Sequence, residues 1–138
     1  SRENPVFYVQ YAHARVFSVL RKAAEVGIAV DEQTLRTADL TKLDHAAELA
    51  LLRKLAEWPR LVEIAARGNE AHRIATYLSE LASELHALWN RGNDVPELRF
   101  VQDDPATTQV KIALARAVAV VISAGLGILG VTPVEEMR

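Results

Sequence analysis

Ile74, Leu78, Leu81, Leu85 and Leu88 recur at steps of three and four residues, a spacing that gathers them on one side of a helix. Ala12, Val16, Val19, Leu20 and Ala23 repeat the pattern near the N-terminus, and helical spacing returns over Glu48 to Glu57. No stretch alternates apolar and polar residues in the two-residue period of a strand. Amphipathic helices of this kind bury their stripes against each other, so the expected fold class is all-α, a single bundle of roughly four to six helices. A length of 138 residues suits one domain, 1–138, with one core.

Pro5 suits the first turn of a helix running to about Val26, where Gly27 is a plausible stop. Ile28 to Lys42 has weak periodicity and reads as a connecting loop with at most a short turn. Asp44 is a reasonable N-cap for the helix over Glu48 to Glu57. Trp58-Pro59 should interrupt that helix, because proline disfavours the α conformation at Trp58, and open a new one to about Arg67. Gly68-Asn69 separates this from a helix over Glu70 to Trp89. Arg91 to Pro105 reads as a polar surface loop, and a last helix is expected from Thr107 or Thr108 to Ile128. Its alanine, valine and isoleucine all round place it at the centre of the bundle. The uncharged run Ala117 to Val131 is shorter than the ~20 residues of a bilayer span and reads as a buried helix. No signal-peptide pattern is visible. A helix starting almost at residue 1, without an initiator methionine, suggests a segment of something larger.

Composition removes several kinds of chemistry. Without cysteine there is no disulfide scaffold, thiolate zinc site or thiol nucleophile. A formal net charge of -2 argues against a protein that coats nucleic acid, so any RNA role needs a local patch. None of His13, His45, His72 and His86 forms a metal motif, and His72 and His86 lie about 21 Å apart along a straight helix. Gly125-Leu126-Gly127-Ile128-Leu129-Gly130 spells a dinucleotide-binding motif, but its glycines close a helix instead of following a strand. The remaining serines and acids show no catalytic spacing.

One stretch stands out. In Tyr8-Val9-Gln10-Tyr11-Ala12-His13-Ala14-Arg15, helical spacing sets Tyr8, Tyr11 and Arg15 on one stripe, with Lys22 on it two turns later. Two phenol rings and a guanidinium beside an apolar face can stack planar groups and hold an anionic backbone. Taken alone, such a stripe is more often tyrosines half-buried at a core edge with an arginine in solvent, because aromatics at helical spacing are usually packing. Trp89, where a helix meets the polar Asn90-Arg91-Gly92-Asn93 loop, admits the same two readings.

Asn4-Pro5-Val6-Phe7 followed by that octapeptide resembles the segment opening the C-terminal helical domain of arginyl-tRNA synthetases. Asp39-Leu40-Thr41 with Glu48 to Glu57, Ala71 to Ala82 with His86-Ala87-Leu88-Trp89-Asn90, and Gly125 to Pro133 with Met137 are similar to the family's later blocks, in order. Compared with the family's usual pattern, Ala71 replaces a proline, Lys111 takes the place of an arginine, and Glu136 stands where arginine is common.

The resemblance implies a DALR-type anticodon-binding domain of a class I synthetase, which uses ATP to attach arginine to its tRNA. It implies Tyr8, Tyr11, Arg15, Trp89 and Met137 around the anticodon loop, helping to recognise its middle cytosine. The expected partners are the anticodon stem-loop of arginine tRNA and an upstream catalytic domain, with no membrane and no DNA, in the cytoplasm. No cofactor or metal is expected on this chain; ATP with magnesium would belong to the catalytic core, and the chain alone would be inactive. The competing readings are the helical domain of another class I synthetase, such as the cysteinyl enzyme, and a helical protein-interaction domain.

Overall fold

A computed structural model describes residues 4–137. Among them are six α-helices, two 3-10 turns and no strand. The helices are α1 (Pro5–Glu25), α2 (Glu32–Arg36), α3 (Ala46–Ala56), α4 (Trp58–Gly68), α5 (Ala71–Arg91) and α6 (Pro105–Ile128), with the 3-10 turns at Leu40–Lys42 and Pro96–Leu98. α1, α5 and α6 pack on one another; α3 and α4 flank α5, and α2 lies on α6. The spaced residues of α5 supply much of the core: Ile74, Leu78, Leu81, Leu85 and Leu88 are all buried, as are Ala12, Val16, Val19 and Ala23 of α1.

Capping chemistry sets several boundaries away from their expected places. The segment 28–42 contains α2, because the Asp31 carboxylate accepts from Thr34 N at 3.1 Å and from the Thr34 hydroxyl at 2.5 Å. The same device starts α6 at Pro105, ahead of Thr107: Asp104 accepts from Thr107 N at 3.1 Å, and Pro105 fills a first-turn position that needs no N–H. His45, and not Asp44, caps α3. Its Nδ1 accepts from Ala47 N at 3.0 Å while Glu48 reaches back to His45 N at 3.4 Å. Proline at 59 does not drive Trp58 out of the helical conformation. Trp58 opens α4, and the break falls one residue earlier, at Glu57, whose carbonyl accepts from Leu61 N at 3.0 Å.

α6 has 24 residues and is, by length and composition, long and apolar enough to cross a membrane. Half of its most apolar window is buried inside this bundle, where Val110, Ile112, Leu114, Val118, Ile122 and Leu126 face the other helices. Lys111 lies on the same helix, and its Nζ is 2.6 Å from Glu48 Oε2 of α3, with both side chains almost wholly buried. The arginine-to-lysine difference at 111 therefore falls in the core, at a one-to-one ion pair. Gly125 brings α6 close to α5: a Cβ there would come within 2.7 Å of both Leu78 methyl carbons. The glycine-rich stretch serves this packing and the turn that follows. Gly130 has φ +75° and Val131 N bonds back to Leu126 O at 2.8 Å, ending the helix and sending the chain back along α1.

Candidate nucleic-acid interface

The α1 stripe meets α5 through Arg15. Its Nη2 donates to the Tyr11 hydroxyl at 3.1 Å, and its Cζ lies 4.9 Å from the Tyr11 ring centroid and 5.0 Å from that of Trp89. Its Nη1 lies 3.2 Å from His86 Nδ1. The sequence reading did not single out His86, which is 6% exposed and meets the Tyr8 ring at 4.7 Å and the Tyr11 ring at 5.3 Å. Its position one helical turn before Trp89 was the available signal, since residues three apart share a face.

A histidine that accepts from Arg15 at Nδ1 is neutral, with its proton on Nε2. Burial lowers the His86 pKa from its ordinary 6.5, and the Arg15 charge lowers it further, while the Tyr8 backbone offsets only part of this. Among the described residues, Nε2 is buried without a hydrogen bond of good geometry. The Trp89 ring is engaged too, stacking on Phe100 with centroids 5.8 Å apart at an interplanar angle of 22°. Arg15 and Trp89 are thus held before any ligand arrives.

The end of the chain completes the wall. Gln10 clamps it with both ends of its amide: Nε2 donates to Thr132 O at 2.8 Å, and Oε1 accepts from Val134 N at 2.8 Å. His13 Nδ1 donates to Val134 O at 2.6 Å, and Arg21 Nη1 reaches Glu135 O at 3.4 Å. The clamp delivers Met137 to a cavity of about 430 Å³ lined by Tyr11, Arg15, Trp89 and Met137, with Arg21 and Glu136 at its sides. Four of the five residues singled out from sequence therefore meet around one cavity. Tyr8 does not line it; half-buried, it supports His86 from behind.

Chemically, this cavity offers an exposed phenol, the edge of an indole, a thioether and a guanidinium with donors at its rim. Such a set accepts a planar polar ring beside an anionic backbone. Among the described residues no group of three or more His, Asp or Glu could hold a metal ion. A family model for the DALR anticodon binding domain matches residues 9–137, and the chain belongs to that family.

The whole chain is 75% identical over 138 residues to an arginine–tRNA ligase of Cereibacter sphaeroides and 76% identical over 139 residues to one of Ruegeria pomeroyi. It spans 24% of the length of each, about a quarter of the curated relatives it matches. A crystal structure described as an arginyl-tRNA synthetase of Campylobacter jejuni superposes with a TM-score of 0.80 at 26% identity, over 99% of this chain and 27% of that one.

Proposed function

We propose that this chain reads the anticodon loop of arginine tRNA on behalf of an arginine–tRNA ligase, and that Tyr11, Arg15, Trp89 and Met137 form the pocket for the loop's middle cytosine. Tyr8 acts from behind the pocket through His86. The observation that carries the reading is the convergence of α1, the end of α5 and the returning chain on a single cavity, with Arg15 already fixed by Tyr11, Trp89 and His86. A flipped-out loop base needs a ring or thioether surface for its face and donors for its edge, and the cavity provides both. The ligase reaction, with ATP and magnesium, belongs to a catalytic region beyond these residues, and the assembly works in the cytoplasm.

The test is a low-salt titration of the chain with the anticodon stem-loop of arginine tRNA and with the same loop carrying another base at the middle position. Preferential binding of the cytosine loop is expected. Equal affinity for both loops would overturn the reading, and recovery of a protein partner without RNA would replace it with an interaction domain.

A further inference from the structure

Glu136 is the one acid at the wall of the candidate cavity, where Arg15 and Arg21 also stand. Among the described residues its carboxylate makes no ion pair and no hydrogen bond. Arg15 is committed to Tyr11 and His86, and Arg21 reaches the Glu135 carbonyl instead. The returning chain is pinned just before Glu136, at Thr132, Val134 and Glu135, by Gln10, His13 and Arg21. Glu135 lines a different cavity, with His13, Phe17 and Arg116. The pinned register thus gives one of two adjacent carboxylates to the candidate site and the other to the opposite flank of α1.

The polar groups of the cavity differ in what they can do. A guanidinium has five N–H groups, and Arg15 commits two within the protein, so it keeps donors to offer. The Tyr11 hydroxyl accepts from Arg15 and still has its own proton to give. The Ser18 hydroxyl can donate or accept, whereas the Glu136 carboxylate only accepts. Cytosine presents the complementary edge, with an amino donor at C4 beside the acceptors N3 and O2. Uracil carries an acceptor oxygen at C4 and a donor at N3.

We propose that Glu136 is the residue that separates the middle cytosine from uracil: its carboxylate accepts from the cytosine amino group, while Arg15 and Tyr11 donate to N3 and O2. The proposal rests on the anticodon-loop reading and supplies the acceptor that reading lacks. Trp89 and Met137 cannot make this distinction, since the two pyrimidines have nearly the same shape and similar ring faces. Donors alone would also admit uracil, through its two carbonyl oxygens. With uracil in place, O4 and the carboxylate would meet as two acceptors with no proton between them, and both would lose their water without compensation. Toward phosphate the same charge is unfavourable, so Glu136 lowers general affinity for RNA while it raises discrimination.

The experiment titrates the wild-type chain, Glu136→Gln and Glu136→Ala at one low salt concentration with three versions of the anticodon stem-loop. Their middle bases are cytosine, uracil and 2-pyrimidinone, which is cytosine without its amino group. Wild type should bind the cytosine loop roughly tenfold more tightly than the 2-pyrimidinone loop, with the uracil loop weakest. In Glu136→Ala the cytosine and 2-pyrimidinone loops should bind alike. Glu136→Gln should keep part of the preference for cytosine over 2-pyrimidinone. It should also discriminate less against uracil than wild type does, because an amide can turn its N–H groups toward O4. Glu136 is exposed, so both variants should fold as wild type does. A carboxylate acting only through its charge would, once removed, raise the affinity of all three loops by one factor. Unchanged ratios between the loops in both variants would therefore overturn the proposal. So would a wild-type chain that prefers cytosine to uracil yet binds the cytosine and 2-pyrimidinone loops alike, and either result leaves the anticodon reading standing. Failure of wild type to prefer the cytosine loop over the uracil loop would remove that reading, and this proposal with it.

Discussion

Arg15 and His86 depend on each other. The guanidinium is planar and presents donors at fixed angles, so it can bond the Tyr11 hydroxyl and His86 Nδ1 while lying against the Trp89 ring. Lysine keeps the charge but cannot make these contacts together. Arg15→Lys should therefore cost about 1–3 kcal/mol of the preference for the cytosine loop; a binding titration with both loops measures it, and an unchanged preference would leave Arg15 a packing contact between α1 and α5 with no part in base choice. His86 must stay neutral to accept from Arg15. Its folded pKa lies below 6.5, so the unfolded chain takes up its proton first as pH falls. The unfolded state then binds more protons, so stability rises with pH in this window. The His86 contribution is complete above the ordinary histidine value and is lost on acidification through the depressed one. Melting curves from pH 7 to about 5 should show wild type losing more stability than His86→Gln, whose amide can still accept a hydrogen bond. Equal pH dependence in the two proteins would show that the His86 proton is not linked to folding.

Within α1, neighbouring residues of one short block serve different partners. Gln10 and His13 hold the returning chain, Tyr11 and Arg15 line the cavity, and Ala12 is buried in the core. Gln10→Ala removes two hydrogen bonds to the segment 132–134, so Met137 is no longer held at the cavity. Loop affinity should fall several-fold while the fold survives with a melting temperature lower by several degrees, because each of the two bonds contributes on the order of 1 kcal/mol to stability. Faster amide exchange at Val134 in the variant would locate the effect, and undiminished affinity would show that the chain end is not part of the site. Helical spacing made the faces of α1 legible, including its buried stripe. It could not say what covers the polar face, since the partner of Gln10 lies more than 120 positions away in the chain. Position in sequence likewise hid the Arg15–His86 contact, which spans 71 residues. The starts of α2 and α6 were legible in principle: Asp31 with Thr34 and Asp104 with Thr107 repeat one capping pattern, obscured by weak apolar periodicity around the first and by Pro105 in the second.

At the scale of the molecule, the candidate cavity and the buried charge pair lie in different places. The cavity lies where α1, the end of α5 and the returning chain meet, whereas the buried ion pair Glu48–Lys111 ties α3 to α6. A charge pair sealed from water is costly to assemble, and each partner is costly to leave alone. Glu48 is committed twice, with one oxygen toward His45 N at the start of α3 and the other toward Lys111 Nζ. Removing the lysine therefore strands a carboxylate in the core. Lys111→Met should destabilise the fold by about 3–5 kcal/mol, whereas Lys111→Met with Glu48→Leu should recover most of that loss, less the part that belongs to the α3 cap. Among the described residues it is the one side-chain hydrogen bond or ion pair between α3 and α6, and apolar packing alone would tolerate sliding, so the pair is placed to fix their register. If register is its role, the double variant will melt near the wild-type temperature but with a broader transition and poorer dispersion of its core methyl resonances. Its cytosine-loop affinity should stay close to wild type, because neither residue lines the site. A double variant as unstable as the single would show that losing the α3 cap costs as much as removing the stranded charge returns; one that melts as sharply as wild type would leave the pair without a part in fixing register.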